Sequence, residues 1–239
     1  MFDRFGPVIQ AQDADAMGLP RAMLRRGTDN GLLIRVAKSA FILRSATTGM
    51  TAWELFRLRA IGFGLCTGPE VHLAGWAAAA VLGIPTVHSP PEIPTALRPG
   101  SAHRGADRTP FGWTRCGFLP PSHRTIRHRV ATVDNRFAVV DIARHHGGVA
   151  GLVAADAVLR SGRTRESLAR LTEEMSAYPG IQTARWVVEH SDGRSESPLE
   201  SLGRMAFLAG RRDAPLSNVW IRAGARMYRL IIFFRPKAS

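Results

Sequence analysis

Three arginines without an obvious counterion are the first residues in this chain whose type and spacing suggest chemistry. Arg21, Arg25 and Arg26 fall within six positions of one another, and residues 20–28 around them read as a short helix. Leu19, Met23 or Ala22, and Leu24 would form its buried face, which turns the arginines to solvent. Cations held on one side of a short helix can contact phosphates and the acceptor edges of bases in a major groove, and Arg21 and Arg25 are expected to make those contacts. Arg35 and Lys38 follow on a short β-hairpin, Lys38 in its turn, where it could reach a phosphate backbone. The other candidates point nowhere so specific. Cys66 and Cys116 are the only cysteines and form no CxxC pair, so neither a zinc site nor a disulfide framework is expected. His72 and His88 stand alone and read as structural histidines. No cofactor and no metal is expected.

The elements around the arginines give them a context. Residues 7–17 put Val8 or Ile9, Ala14 and Met17 on one helical face. Gly18 stops that helix, and Leu19 with Pro20 starts the next, since proline is at home in a first turn. Gly31 then releases the chain into two short strands, 33–36 and 40–43, around the turn at 37–39. The two helices alone fit a structural helical hairpin with solvated arginines equally well. The β-hairpin directly after them favours a winged helix-turn-helix, with double-stranded DNA as the partner.

Composition sets the wider bounds. The 239 residues are 45% hydrophobic and 21% charged, which is globular, and the formal charge of +13 favours an anionic partner. The excess is patchy: +3 over residues 1–48, 0 over 49–88, +5 over 89–132, 0 over 133–190 and +5 over 191–239. Thirty of the 32 basic residues are arginine, a preference that a GC-rich genome produces as readily as phosphate binding does. No apolar run reaches the length of a membrane span and no secretory leader is apparent, so a soluble, cytoplasmic protein with no membrane association is expected.

Along the rest of the chain, Thr51 and Glu54 form a capping box opening a helix over 51–64. Residues 72–82 are apolar all round and read as a buried helix. Residues 83–132 are punctuated by proline and suggest strands at 85–88, 112–115 and 125–133. The basic loop 98–108 is either a solvated tip or a second phosphate contact. Helices are expected at 137–143, 152–161, 164–175 and 181–190; their neutral balance suits packing or a protein partner. A linker at 191–196 leads to Ser197, Pro198 and Glu200, a complete helix-start signal. A β-hairpin follows at 216–221 and 226–234. The expected fold class is α+β: an N-terminal winged helix-turn-helix over 1–46, a mixed α/β domain over 47–190, and a helix plus β-hairpin tail over 191–239.

This order of pieces resembles the actinobacterial abortive-infection (AbiEi-like) antitoxins of type IV toxin-antitoxin systems. The resemblance is carried by the basic helices and wing, the alanine-rich helix ending in Gly83, Ile84 and Pro85, the helix around Val140 to Ala143, and the start at Ser197 to Ser201. It implies a repressor that binds its own operator, counteracts a nucleotidyltransferase-like toxin and is not an enzyme. The tail resembles the opening of a very-short-patch-repair-like, PD-(D/E)XK nuclease domain, in which Glu200 matches the first-helix acid. Such a site needs further carboxylates to hold a divalent metal. Ile231 stands where the relatives carry aspartate, and the chain stops at Ser239 before another acidic strand, so Glu200 is read as a capping residue. A phage or prophage immunity-type repressor on the same scaffold, and a metal-dependent nuclease, are the alternative readings.

Overall fold

A computed structural model describes residues 2, 6–100, 106–210, 215–224 and 226–234. The chain is mixed α and β, as expected. By packing it divides into two compact units, one of residues 1–83 and 89–134, the other of residues 84–88 and 135–239. The boundary expected near residue 46 falls inside the first unit.

The first unit begins with β1 (Ile9–Gln10), α1 (Ala11–Asp15), α2 (Arg21–Asp29) and the hairpin β2 (Leu33–Ala37) and β3 (Ala40–Leu43). The single helix expected over 7–17 is corrected. Its first half is a strand, because Ile9 and Gln10 pair with Phe41 and Ala40 of β3 to complete a three-stranded sheet in the order β1-β3-β2. Pro7 and the β-branched Val8 and Ile9 favour that extended start. Asp13 then caps the short helix by accepting the Gln10 backbone N–H at 2.7 Å.

The long helix α3 (Ala52–Cys66) is the hub of this unit. Thr51 and Glu54 cap it reciprocally, as the sequence suggests. Its glycines let two sheets approach it. A Cβ on Gly62 would stand 2.6 Å from Val36 Cγ2 of β2, and one on Gly64 would stand 3.0 Å from Val130 Cβ. Val130 belongs to a six-stranded sheet of β4 (His72–Ala74), β5 (Thr95–Pro99), β6 (Asp107–Thr109), β7 (Gly112–Gly117), β8 (Arg124–Arg127) and β9 (Val130–Val133), in the order β6-β7-β5-β4-β9-β8. The helix α4 (Gly75–Leu82) packs against α3 and the sheet.

Three sequence expectations change in this region. Residues 85–88 form no strand; Pro85, Pro90 and Pro91 leave too few N–H donors for a ladder. The apolar run that reads as a helix from residue 72 opens instead with β4, which pairs antiparallel with β5 and parallel with β9. Residues 124–133 are two strands around a tight turn rather than one. The basic loop expected at 98–108 lies partly in β5 and β6, and its residues 101–105 are outside the described residues.

The second unit is helical: α5 (Asn135–His146), α6 (Gly148–Arg160), α7 (Arg165–Glu174), α8 (Ile181–His190) and α9 (Pro198–Ala209), followed by the hairpin β10 (Leu216–Ala223) and β11 (Arg226–Phe233). Gly151 lets α6 close onto α5, since a Cβ there would meet Ala143 Cβ at 2.6 Å. A buried network joins α6, α9 and the segment between α8 and α9. Asp156 accepts from Arg204 at 2.8 Å, from Ser201 at 2.7 Å and from the Asp192 backbone at 2.6 Å. Arg204 also donates to the His190 carbonyl.

Candidate nucleic-acid interface

α2 is held to the unit by a narrow stripe. Within it only Leu24 is buried, joining Ile9, Ala14 and Leu33 in a small core that Leu19, Phe41 and Leu43 partly cover. Gly27 brings the helix against β2, where a Cβ would stand 2.9 Å from Leu33 Cδ1. Arg21, Ala22, Met23, Arg25, Arg26 and Asp29 are exposed. Met23, expected as a possible buried position, is 52% exposed, because Leu19, Leu24 and Gly27 already fill the contact.

The five basic residues divide into those held in place and those left to solvent. The expectation that no acid stands beside the arginines is corrected for two of them. Arg21 donates Nε to both Asp15 oxygens at 3.1 Å and Nη2 to one at 2.6 Å, which braces the turn between α1 and α2. Sequence reading missed this pair because six residues and a helix break separate the partners. The contact holds the Asp15 carboxyl below the usual carboxylate range. Arg25 lies 3.9 Å from Asp29, one turn on, with both side chains well exposed. At that distance, in water, the pair is weak and exchangeable. Arg26 is exposed and has no acid within 4 Å among the described residues.

On the hairpin, Arg35 folds back over the turn, donating to the carbonyls of Ala37 and Lys38, and its guanidinium carbon lies 5.4 Å from the Phe111 ring centroid. Lys38 is exposed at the turn itself. Arg25, Arg26 and Lys38 are therefore the cations of this group most available to an anionic ligand, while Arg21 and Arg35 stiffen the elements that carry them.

Charge favours such a ligand over the whole unit. Its residue ranges contain 16 Arg and Lys against 9 Asp and Glu, a net +7. One ion pair carried no signal in the sequence. Arg129 reaches across 116 positions to the buried carboxylate of Asp13 at 2.7 Å, which brings the β8–β9 turn beside α1.

In the second unit, Glu200 is engaged in capping. Its carboxylate accepts from Ser197 Oγ at 3.1 Å, from the Glu196 N–H at 2.9 Å and from Asn218 Nδ2 at 2.6 Å. Ile231 lies on β11, 59% exposed. Among the described residues no three His, Cys, Asp or Glu side chains come together as a metal site. No helix among them is long and apolar enough to cross a membrane. No protein-family model and no curated protein matches the chain.

Proposed function

We propose that this chain is a sequence-specific DNA-binding repressor, with residues 9–43 acting as a winged helix-turn-helix. In this reading α2 enters the major groove with Arg25 and Arg26 toward base edges and phosphates, and Lys38 on the β2–β3 wing meets the backbone. Arg21 and Arg35 keep their assigned places at the interface and also brace the turn and the wing. The observation that carries the reading is a nine-residue helix that buries one side chain, Leu24, and exposes three arginines against a single acid, Asp29. A helix kept only for packing would bury a wider stripe.

The resemblance to abortive-infection antitoxins extends the proposal to autoregulation: the operator would precede the chain's own gene, and the partner would be a nucleotidyltransferase-like toxin. Arg25→Glu should weaken binding to upstream promoter DNA about tenfold or more in a gel-shift titration. Unchanged affinity would remove α2 from the interface. Magnesium or manganese should leave the bound duplex intact; cleavage that disappears with Glu200→Ala would replace repression with nuclease chemistry.

A further inference from the structure

The β8–β9 hairpin has a turn in a conformation unusual for its residues. His128 and Arg129 occupy its two central positions at φ 49° and 67°, a geometry that asparagine and glycine adopt far more easily. β8 is an outer strand of the six-stranded sheet, and Thr125 to Arg129 are exposed. Arg57 of α3 donates Nη2 to His128 Nε2 at 2.7 Å. Burial, followed by Arg57 and Arg127, holds the His128 pKa below the usual histidine range, so the ring accepts this bond as a neutral imidazole. Arg57 and Arg127 have no acid within 4 Å among the described residues. Glu54, which lines the same hollow as Arg57 and His128, is occupied in capping Thr51 at 2.7 Å and 2.8 Å. Arg129 at the tip is compensated by Asp13, so Arg57 and Arg127 are the two cations beside this strained, exposed turn that an external anion would neutralise.

The position of the tip indicates which anion. Arg129 pairs with Asp13 of α1, the helix immediately before α2. Beside this pair lies a cleft of about 560 Å³, lined by Gln10, Gln12, His72, Arg124 and Arg129 among others, with Arg57 and Arg127 outside its lining. In helix-turn-helix complexes the first helix crosses the sugar–phosphate backbone while the second lies in the groove. A cationic tip beside α1 therefore lies where a backbone phosphate would run.

We propose that the β8–β9 turn is a second phosphate clamp on the same duplex that α2 reads, with Arg57 and Arg127 as its cations and His128 between them. This inference rests on the DNA-binding reading, and the test separates the two. The affinity of the full-length chain for a promoter duplex, a scrambled duplex of equal length and a single-stranded RNA is measured over a range of salt concentrations, for the wild type and for Arg127→Gln, Arg57→Gln, Arg127→Lys and Arg26→Gln. Each neutralised phosphate contact contributes about one unit to the slope of log affinity against log salt. Arg127→Gln and Arg57→Gln should each reduce the slope by about one, on promoter and scrambled duplex alike, and Arg127→Lys should retain it. Arg127 is exposed, so thermal melting of its variants should match the wild type.

If Arg26→Gln lowers the slope while Arg127→Gln and Arg57→Gln leave it unchanged, the second clamp is wrong and the reading of α2 stands. If the wild type does not bind duplex, or Arg26→Gln and the tip variants all leave both the slope and the promoter affinity unchanged, both fall together. A loss confined to single-stranded RNA would also overturn the clamp, assigning the tip to a different ligand.

Discussion

At the scale of single residues, the contacts that fix this molecule are mostly ones a sequence does not reveal. Arg25 and Arg26 stand out in the sequence as exposed cations of one helix; Arg25 has only the weak, exposed contact to Asp29 at 3.9 Å, and Arg26 has no acid within 4 Å among the described residues. Arg21 with Asp15, Arg129 with Asp13, and Arg204 with Asp156 are pairs made by folding, the last across 48 positions. Arg204 and Asp156 are almost wholly buried, at 3% and 1% exposure. Burial raises the Asp156 pKa, and Arg204 with the hydrogen bonds from Asp192 and Ser201 opposes that rise. Arg204→Met would leave the carboxylate buried without its cation and should cost about 3–5 kcal/mol in urea unfolding. The sign of its pH dependence follows. A raised folded-state pKa means that stability is retained in acid, below the unfolded aspartate value, and lost as pH rises through the folded value. The deficit of Arg204→Met should therefore be smallest in acid and grow toward neutral pH. A deficit independent of pH would mean that lost packing, rather than the uncompensated charge, is the cause.

At the scale of elements, local signals were legible where they are complete within a few residues. Thr51 with Glu54 and Ser197 with Glu200 form the caps that their spacing implies, and the two hairpins at 33–43 and 216–233 form where their patterns place them. Long-range pairing decided the rest. Ile9 is strand because β3 is available beside it, and His72 to Ala74 are strand because β5 and β9 flank them. An apolar run carries no period that could have announced this. The role of α3 was equally hidden: it reads as an ordinary capped helix, but Gly62 and Gly64 make it the shared floor of two sheets. Gly62→Val should destabilise the protein by about 1–3 kcal/mol, through overpacking against Val36. Because Val36 lies on the β2–β3 hairpin, the same variant should also weaken DNA binding if the wing contributes to it. Full stability in a thermal melt would show that β2 can move aside without cost.

At the scale of the whole molecule, the β2–β3 hairpin is part of a larger core. Val36, Ala37, Ala40 and Ile42 on the β2–β3 hairpin are buried, and α3 lies against this hairpin. A fragment of residues 1–46 would expose them and should show no cooperative melt by circular dichroism, whereas a fragment of residues 1–134 should melt cooperatively. Cooperative folding of the shorter piece would make residues 1–46 a domain in their own right. The net charge is spread over both units, +7 on the first and +6 on the second, so bulk basicity does not single out a surface, and the proposal rests on the exposed face of α2. The most direct measurement of that claim is the anisotropy-detected affinity of wild type and Arg26→Ala for the upstream promoter duplex and for a scrambled duplex of equal length, at one fixed salt concentration. If α2 reads the major groove, Arg26→Ala should cost about 1–3 kcal/mol on the promoter duplex and distinctly less on the scrambled one. Equal affinity of wild type and variant for both duplexes would contradict it.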